Sequence, residues 1–192
     1  MDVRKLAVVL LACCLEASPA LAQETSAATP PAAAQVATDF DRPAFGIRAT
    51  LPAGWSIHRE AANELRLIVS FGMPKVWSEL EKQDIENAVY IRAYRDDWAK
   101  SVDDVAAWET QRVQDIQVSR TPADTAAGKA DLVVTRIKGL EYKTWVTYRY
   151  QNGVGYAIGF TATPGTFDIN AGKYQDFLAK LAFAPPTAGA GK

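Results

Sequence analysis

Polar and apolar residues alternate along several stretches of the chain, and each such stretch predicts a strand. Phe45, Ile47, Ala49 and Leu51 are separated by Gly46, Arg48 and Thr50, and the turn Pro52-Ala53-Gly54 follows. Trp55-Ser56-Ile57-His58 then returns as a second strand, so the expectation is a β-hairpin. Leu65, Leu67, Val69 and Phe71 fall on one face of a third strand, with Arg66 and Ser70 on the other. Ser78-Glu79-Leu80-Glu81 has the spacing of a capping box, but Leu80 and Ile85 are the large apolar residues there. That stretch predicts a short surface helix or an ordered loop. Residues 88–95, rich in Val, Tyr and Ile, predict a further strand.

The period then changes. Ser101, with Asp104 three residues on, caps a helix on which Val102, Val105, Trp108, Val113 and Ile116 share one side. Asp103, Glu109, Gln111 and Gln114 suit its wet side. Residues 132–138 predict a strand after the Gly128 turn. Residues 142–150 and 154–162 flank Asn152-Gly153, the dipeptide that a type I′ turn favours because both central residues need positive φ. A two-residue loop fixes the register. Arg149, Thr147 and Trp145 face Tyr156, Ile158 and Phe160 on one side; Tyr150, Tyr148 and Val146 face Gly155, Ala157 and Gly159 on the other. The second side sets tyrosine rings over small residues, a shallow aromatic surface that a helix could cover. After Pro164-Gly165 a last helix begins near Asp168 or Asn170 and buries Tyr174, Phe177, Leu178 and Leu181. Strands, helix, strands, helix is the order of an α+β domain, a central antiparallel β-sheet flanked by helices.

The ends of the chain read differently. Asp2, Arg4 and Lys5 precede an apolar run, residues 6–15, shorter than the about 20 residues that span a bilayer. Ser18-Pro19-Ala20-Leu21-Ala22 then offers small residues where a signal peptidase reads. Residues 1–22 are therefore expected to be a signal peptide cleaved after Ala22, and the protein periplasmic or secreted. A lipoprotein signal acylated at Cys13 or Cys14 is the rival reading. Residues 23–42, rich in Ala, Pro and Thr, have too little large apolar surface to offset ordering entropy and are expected to be a disordered linker. A tail over residues 185–192 has the same character. One domain, residues 43–184, lies between them. Both cysteines fall inside the signal, so that domain has no disulfide, thiol nucleophile or thiolate metal site. The formal net charge is −1 with both signs interspersed, and no basic run suggests nucleic acid. No second apolar stretch is long enough to be transmembrane.

Phe45-x-Ile47-x-x-Leu51-Pro52-x-Gly54-Trp55, with the closing hairpin and helix, resembles the PsbP-like family. That family includes the extrinsic photosystem II subunit, the Ran-binding Mog proteins and bacterial envelope proteins of the DcrB and LpqN type. The resemblance covers about residues 43–183. It implies an α/β/α sandwich around an antiparallel sheet, and a binding or assembly role rather than catalysis.

Candidate chemistry is sparse. His58 is the single histidine and has no cysteine or histidine to share a metal with. There is no Gly-x-Ser-x-Gly elbow and no phosphate-binding glycine loop, and no motif calls for a cofactor. Asp39 with Asp41, and Asp168 with Asn170, offer too few ligands for calcium. Arg66, Arg92, Arg136 and Arg149 lie on four strands and would make a basic stripe if neighbouring strands aligned them. Tyr148 and Tyr150, with Trp98, are the candidate ligand- or partner-binding residues, because aromatics give large contact area at small entropy cost; burial beneath a helix is the competing reading. The expectation is an exported, non-enzymatic binding or assembly module, its partner an envelope protein or a small ligand. A small-ligand carrier with a cavity between sheet and helices is one alternative. A carboxylate-dependent envelope hydrolase, needing two acids at roughly 5–10 Å, is the other.

Overall fold

In the computed structural model, the described residues are 38–187 apart from 96 and 126. The expected signal peptide, with Cys13 and Cys14, and the linker as far as residue 37 lie outside them. The linker expectation fails at its end, because Thr38–Arg42 is a strand, β1. Phe40 is fully buried there, its ring edge-on to Phe71 at 5.3 Å. A single apolar residue between two aspartates shows no periodicity, which is why the strand is silent in the sequence. Pro43–Phe45 forms a 3₁₀ turn and leads to β2, Ile47–Leu51.

The hairpin expected next does not form. β2 pairs antiparallel with β1, whereas β3 (Ser56–Ala62) pairs with β4 (Arg66–Gly72) in a different sheet. The Trp55 N–H donates to the Pro52 carbonyl, and the buried indole packs 5.1 Å from the Phe177 ring. That anchor turns the chain out of the first sheet, so the Pro-Ala-Gly turn joins two layers instead of two neighbouring strands. Two short strands follow, β5 (Val76–Ser78) and β6 (Gln83–Ile85), paired with each other around the Ser78–Glu81 turn. The Ser78 hydroxyl accepts from the Glu81 N–H and donates to its carboxylate. The capping-box contacts are real, but they close a hairpin and not a helix.

β7 (Ala88–Tyr94) and the helix α1 (Val102–Val113) fall where the pattern puts them. Ser101 Oγ accepts from the Asp104 N–H at 3.1 Å, and the Asp104 carboxylate accepts from the Lys100 N–H at 2.8 Å. β8 (Gln117–Thr125) has no alternation, holds a proline at 122, and was not anticipated. β9 (Gly128–Ile137), β10 (Leu140–Gln151) and β11 (Val154–Ala162) complete a meander. The β10–β11 register places Gln151 opposite Val154, Tyr148 opposite Ala157 and Trp145 opposite Phe160, with φ of 54° at Asn152 and 77° at Gly153. The type I′ reading is therefore right to the residue. The helix α2 (Phe167–Lys180) and a two-residue strand β12 (Ala182–Phe183) are the last elements among the described residues.

Seven strands form one antiparallel sheet in the order β3-β4-β7-β11-β10-β9-β8. β8 is an edge, the position where a proline costs no ladder hydrogen bond. β1, β2 and β12 form a second, three-stranded sheet. Alternate residues of the large sheet feed two separate cores. Leu67, Val69, Phe71, Ile91, Ile158 and Phe160 pack with α2 and the small sheet. Ala157, Val146 and Val133 pack with Val105 and Ala106 of α1. Across the described residues the protein is α+β, mostly antiparallel sheet with two helices. The layer on the α2 side is shared with strands, so the flanking layers are less purely helical than a simple sandwich. The tail expectation is also too wide: the Thr187 N–H donates to the Pro43 carbonyl at 2.9 Å.

Candidate functional site

A cleft of about 250 Å³ opens between the C-terminal half of α1 and the sheet beneath it. Its origin lies in which residues let the helix approach. At its N-terminal half α1 sits tightly on β11, because Gly155 has no side chain; a Cβ there would meet Val105 Cγ2 at 2.6 Å. Further along β11, Tyr90 lies across Gly159, where a Cβ would be 2.2 Å from the ring. Beyond it Val113 and Ile116 line the cleft opposite Val133 and Ile137 of β9. Thr144 and Thr161 line it from β10 and β11 with their hydroxyls bonded to each other at 3.0 Å.

Two ionic groups flank the apolar walls. Glu109 is buried on α1, where Oε2 accepts from Arg92 Nη1 at 2.9 Å and Oε1 from the Tyr94 hydroxyl at 3.4 Å. Arg112, one turn on, reaches Glu109 Oε2 through Nε at 3.4 Å. The Arg92 guanidinium also lies 4.0 Å over the Tyr90 ring. Burial, with the Glu109 charge nearby, pushes the Tyr90 phenol up to about 12, so it stays neutral across the physiological range. The second group joins three strands. Arg120 Nη1 of β8 donates to Asp131 Oδ2 of β9 at 2.7 Å and to the Tyr148 hydroxyl of β10 at 2.9 Å. The Tyr148 hydroxyl donates on to Asp131 Oδ2 at 3.0 Å.

The residues singled out from sequence fall in different places. Tyr148 is 2% exposed, in the core beneath α1, so its ring offers no flat platform. Tyr150 is half-buried at the other end of the helix, in a shallow depression with Asp97 and Lys100. Trp98 joins neither; it stacks 5.5 Å from Trp108 and packs edge-on to Tyr94. The four arginines do not make a stripe. Arg66 and Arg92 share the α1 face, whereas Arg136 pairs with Glu141 on the opposite face and Arg149 lies 4.4 Å over the Phe183 ring. His58 pairs with Glu86 at 2.9 Å, Asp39 accepts from Thr50 at 3.0 Å, and Asp41 pairs with Arg48 at 2.9 Å. Among the described residues no cluster of three or more His, Cys, Asp or Glu could hold a metal. Nor, among them, is any helix long and apolar enough to cross a membrane.

Sequence reasoning missed Glu109, which it put on the wet side, along with Arg112, Arg120 and Asp131. A signal for Glu109 was present. It stands four residues from both Val105 and Val113, in the middle of the apolar stripe, and a charge there needs a partner beneath. Arg120 and Asp131 could not be found that way, because β8 itself leaves no pattern.

No family model matches the chain, and no curated protein matches it. Structural likeness is to proteins of low identity. One is a protein of Bacteroides thetaiotaomicron VPI-5482, with a TM-score of 0.46, 15% identity and 82% of this chain covered; the chain spans 50% of that protein's length. A second is PA94 of Pseudomonas aeruginosa, a protein of unknown function described as a putative regulator, with a TM-score of 0.48, 12% identity, and 78% and 98% of the two chains covered. A third is the cyanobacterial PsbP (CyanoP) of Synechocystis sp. PCC 6803, with a TM-score of 0.44, 11% identity, and 83% and 99% covered. Likenesses at this level assign neither family nor function.

Proposed function

We propose that the chain is an exported, non-catalytic binding module that recognises its ligand in the cleft beneath α1. One observation carries the reading: three arginines and Glu109 line an open cleft, Asp131 pairs with one of those arginines, and the remaining walls are aliphatic side chains with threonines and tyrosines among them. Burying such groups costs desolvation energy, and apolar residues of similar volume would hold helix to sheet at least as well. Their placement beside a cavity is what recognition of a polar group calls for. The two carboxylates give a hydrolase no support, since Glu109 and Asp131 already accept from arginines and tyrosine hydroxyls. At about 250 Å³ the cleft is below the roughly 300–1,000 Å³ of pockets that enclose a drug-sized ligand. It suits a small molecule, or the head of a longer one, better than an enclosed cargo. Export rests on the sequence of residues 1–22.

The test is a fragment screen by ligand-observed NMR on the purified chain and on two blocked variants. Thr161→Trp fills the cleft from its floor, and Ile137→Trp narrows it from a half-exposed position at the rim. Fragments should lose binding in both while the circular dichroism spectrum stays unchanged. Binding indifferent to both substitutions would move the site elsewhere.

A further inference from the structure

We infer that the cleft selects a small amphipathic acid, whose carboxylate is taken by Arg112 and whose short apolar body lies along the end of α1. This rests on the cleft being the recognition site.

The charges single out Arg112. Arg92 is committed to Glu109 at 2.9 Å and to the Tyr90 ring, and Arg120 to Asp131, Tyr148 and Gln117. Glu109 therefore has its counter-charge without Arg112. The Arg112 side chain is 39% exposed and touches Glu109 through Nε, at the long distance of 3.4 Å. Its terminal nitrogens enter no ion pair or hydrogen bond with a described residue. A guanidinium fork in that state fits a carboxylate in two parallel hydrogen bonds. The C-terminal end of α1 opposes this with a partial charge of about −0.5, but a full positive charge in its last turn outweighs it.

The rest of the cleft asks for an apolar body. Ile116 and Ile137 are 40% and 44% exposed at its edge, and Val113 and Val133 continue the same surface inward. Of the lining threonines, Thr144 and Thr161 share a single hydrogen bond between their hydroxyls. The cleft thus holds one cation whose terminal nitrogens are left over from its Glu109 contact, next to exposed aliphatic side chains, a pairing suited to a short-chain acid over a bare anion, an alcohol or an amine.

The experiment is isothermal titration of the purified chain with octanoate, octan-1-ol, octylammonium and inorganic phosphate, each below its aggregation limit. The chain is compared with Arg112→Gln and Arg112→Lys. Octanoate should bind about tenfold or more tightly than octan-1-ol, as expected for a charge-assisted hydrogen bond at a half-exposed site. Octylammonium and phosphate should be weaker than both. Arg112→Gln should remove the octanoate advantage over octan-1-ol, and Arg112→Lys should keep part of it. Glu109 retains Arg92 in both variants, so thermal melts should confirm the fold. Equal affinity for acid and alcohol, or an octanoate advantage that survives Arg112→Gln, overturns the inference and leaves the cleft as the site. Octanoate failing to bind while fragments still bind and are lost on blocking does the same. Failure of every probe and every fragment overturns the cleft reading as well.

Discussion

Glu109 brings a carboxylate to the interface between α1 and the sheet, and three residues answer it. Its substitution by alanine leaves the Arg92 guanidinium, 14% exposed, without a counter-charge. The expected cost is about 3–5 kcal/mol in urea denaturation. Replacing both partners together, Glu109→Leu with Arg92→Met, should recover most of that loss, since the pair's attraction roughly offsets its own desolvation. A double variant as unstable as Glu109→Ala would show that the pair contributes more than it costs. On the opposite side of the molecule, the hydrogen bond from Arg42 is the main influence holding the Glu60 carboxyl below its ordinary value of 4.5. A carboxyl lowered on folding stabilises at pH above its unfolded value, and that contribution is lost as pH falls through the folded one. Glu60→Gln should thus flatten the fall in stability below about pH 4.5 and leave the curve near neutrality parallel to that of the unsubstituted chain. An acid limb unchanged by the substitution would show that the Arg42 contact does not persist in solution. At this scale the sequence disclosed residue types but not company. Arg92 was noticed on its strand and Glu109 on its helix, yet their meeting depends on a crossing that no local pattern encodes.

Among elements, α1 owes the closeness of its seating on the sheet to one glycine. A methyl at Gly155 would enter the space of Val105. Gly155→Ala is expected to destabilise the fold by about 1–3 kcal/mol through overpacking. Adding Val105→Ala should return part of that by vacating the contested volume. Additive losses in the pair would mean that the helix shifts instead of the side chain yielding, which tryptophan fluorescence from Trp108 would register. Elements were legible wherever short-range chemistry decides them. Asn152-Gly153 dictates its turn, and Ser101 with Asp104 starts its helix regardless of what lies beneath. Elements decided by distant contacts were not. β2 and β3 look like a hairpin until Trp55 meets Phe177, 122 residues later in the chain. β8 is a strand because β9 offers it an edge, with a register shift between Gln117 and Ser119, and its own residues carry no alternation.

At the scale of the whole molecule, the core on the α2 side is closed by the two ends of the domain. β1 enters next to β2 from one end and β12 from the other, and Phe40 seals the cluster against Phe71. The sequence boundary at residue 43 therefore cuts through a layer of the fold, although the residues just before it look like linker. A chain of residues 43–184 loses β1, the fully buried Phe40 and the Thr187–Pro43 hydrogen bond. It should unfold at a urea concentration well below that of a chain of residues 38–187, the aromatic ring alone accounting for about 3–5 kcal/mol. Phe40→Ala in the longer chain separates ring from strand. If it reproduces most of the loss, the packed ring is what closes the core. If it falls far short, the backbone pairing of β1 with β2 is the larger part. Equal stability of the two lengths would mean that the small sheet folds around β2 and β12 without β1, and the domain would then begin where the sequence first placed it.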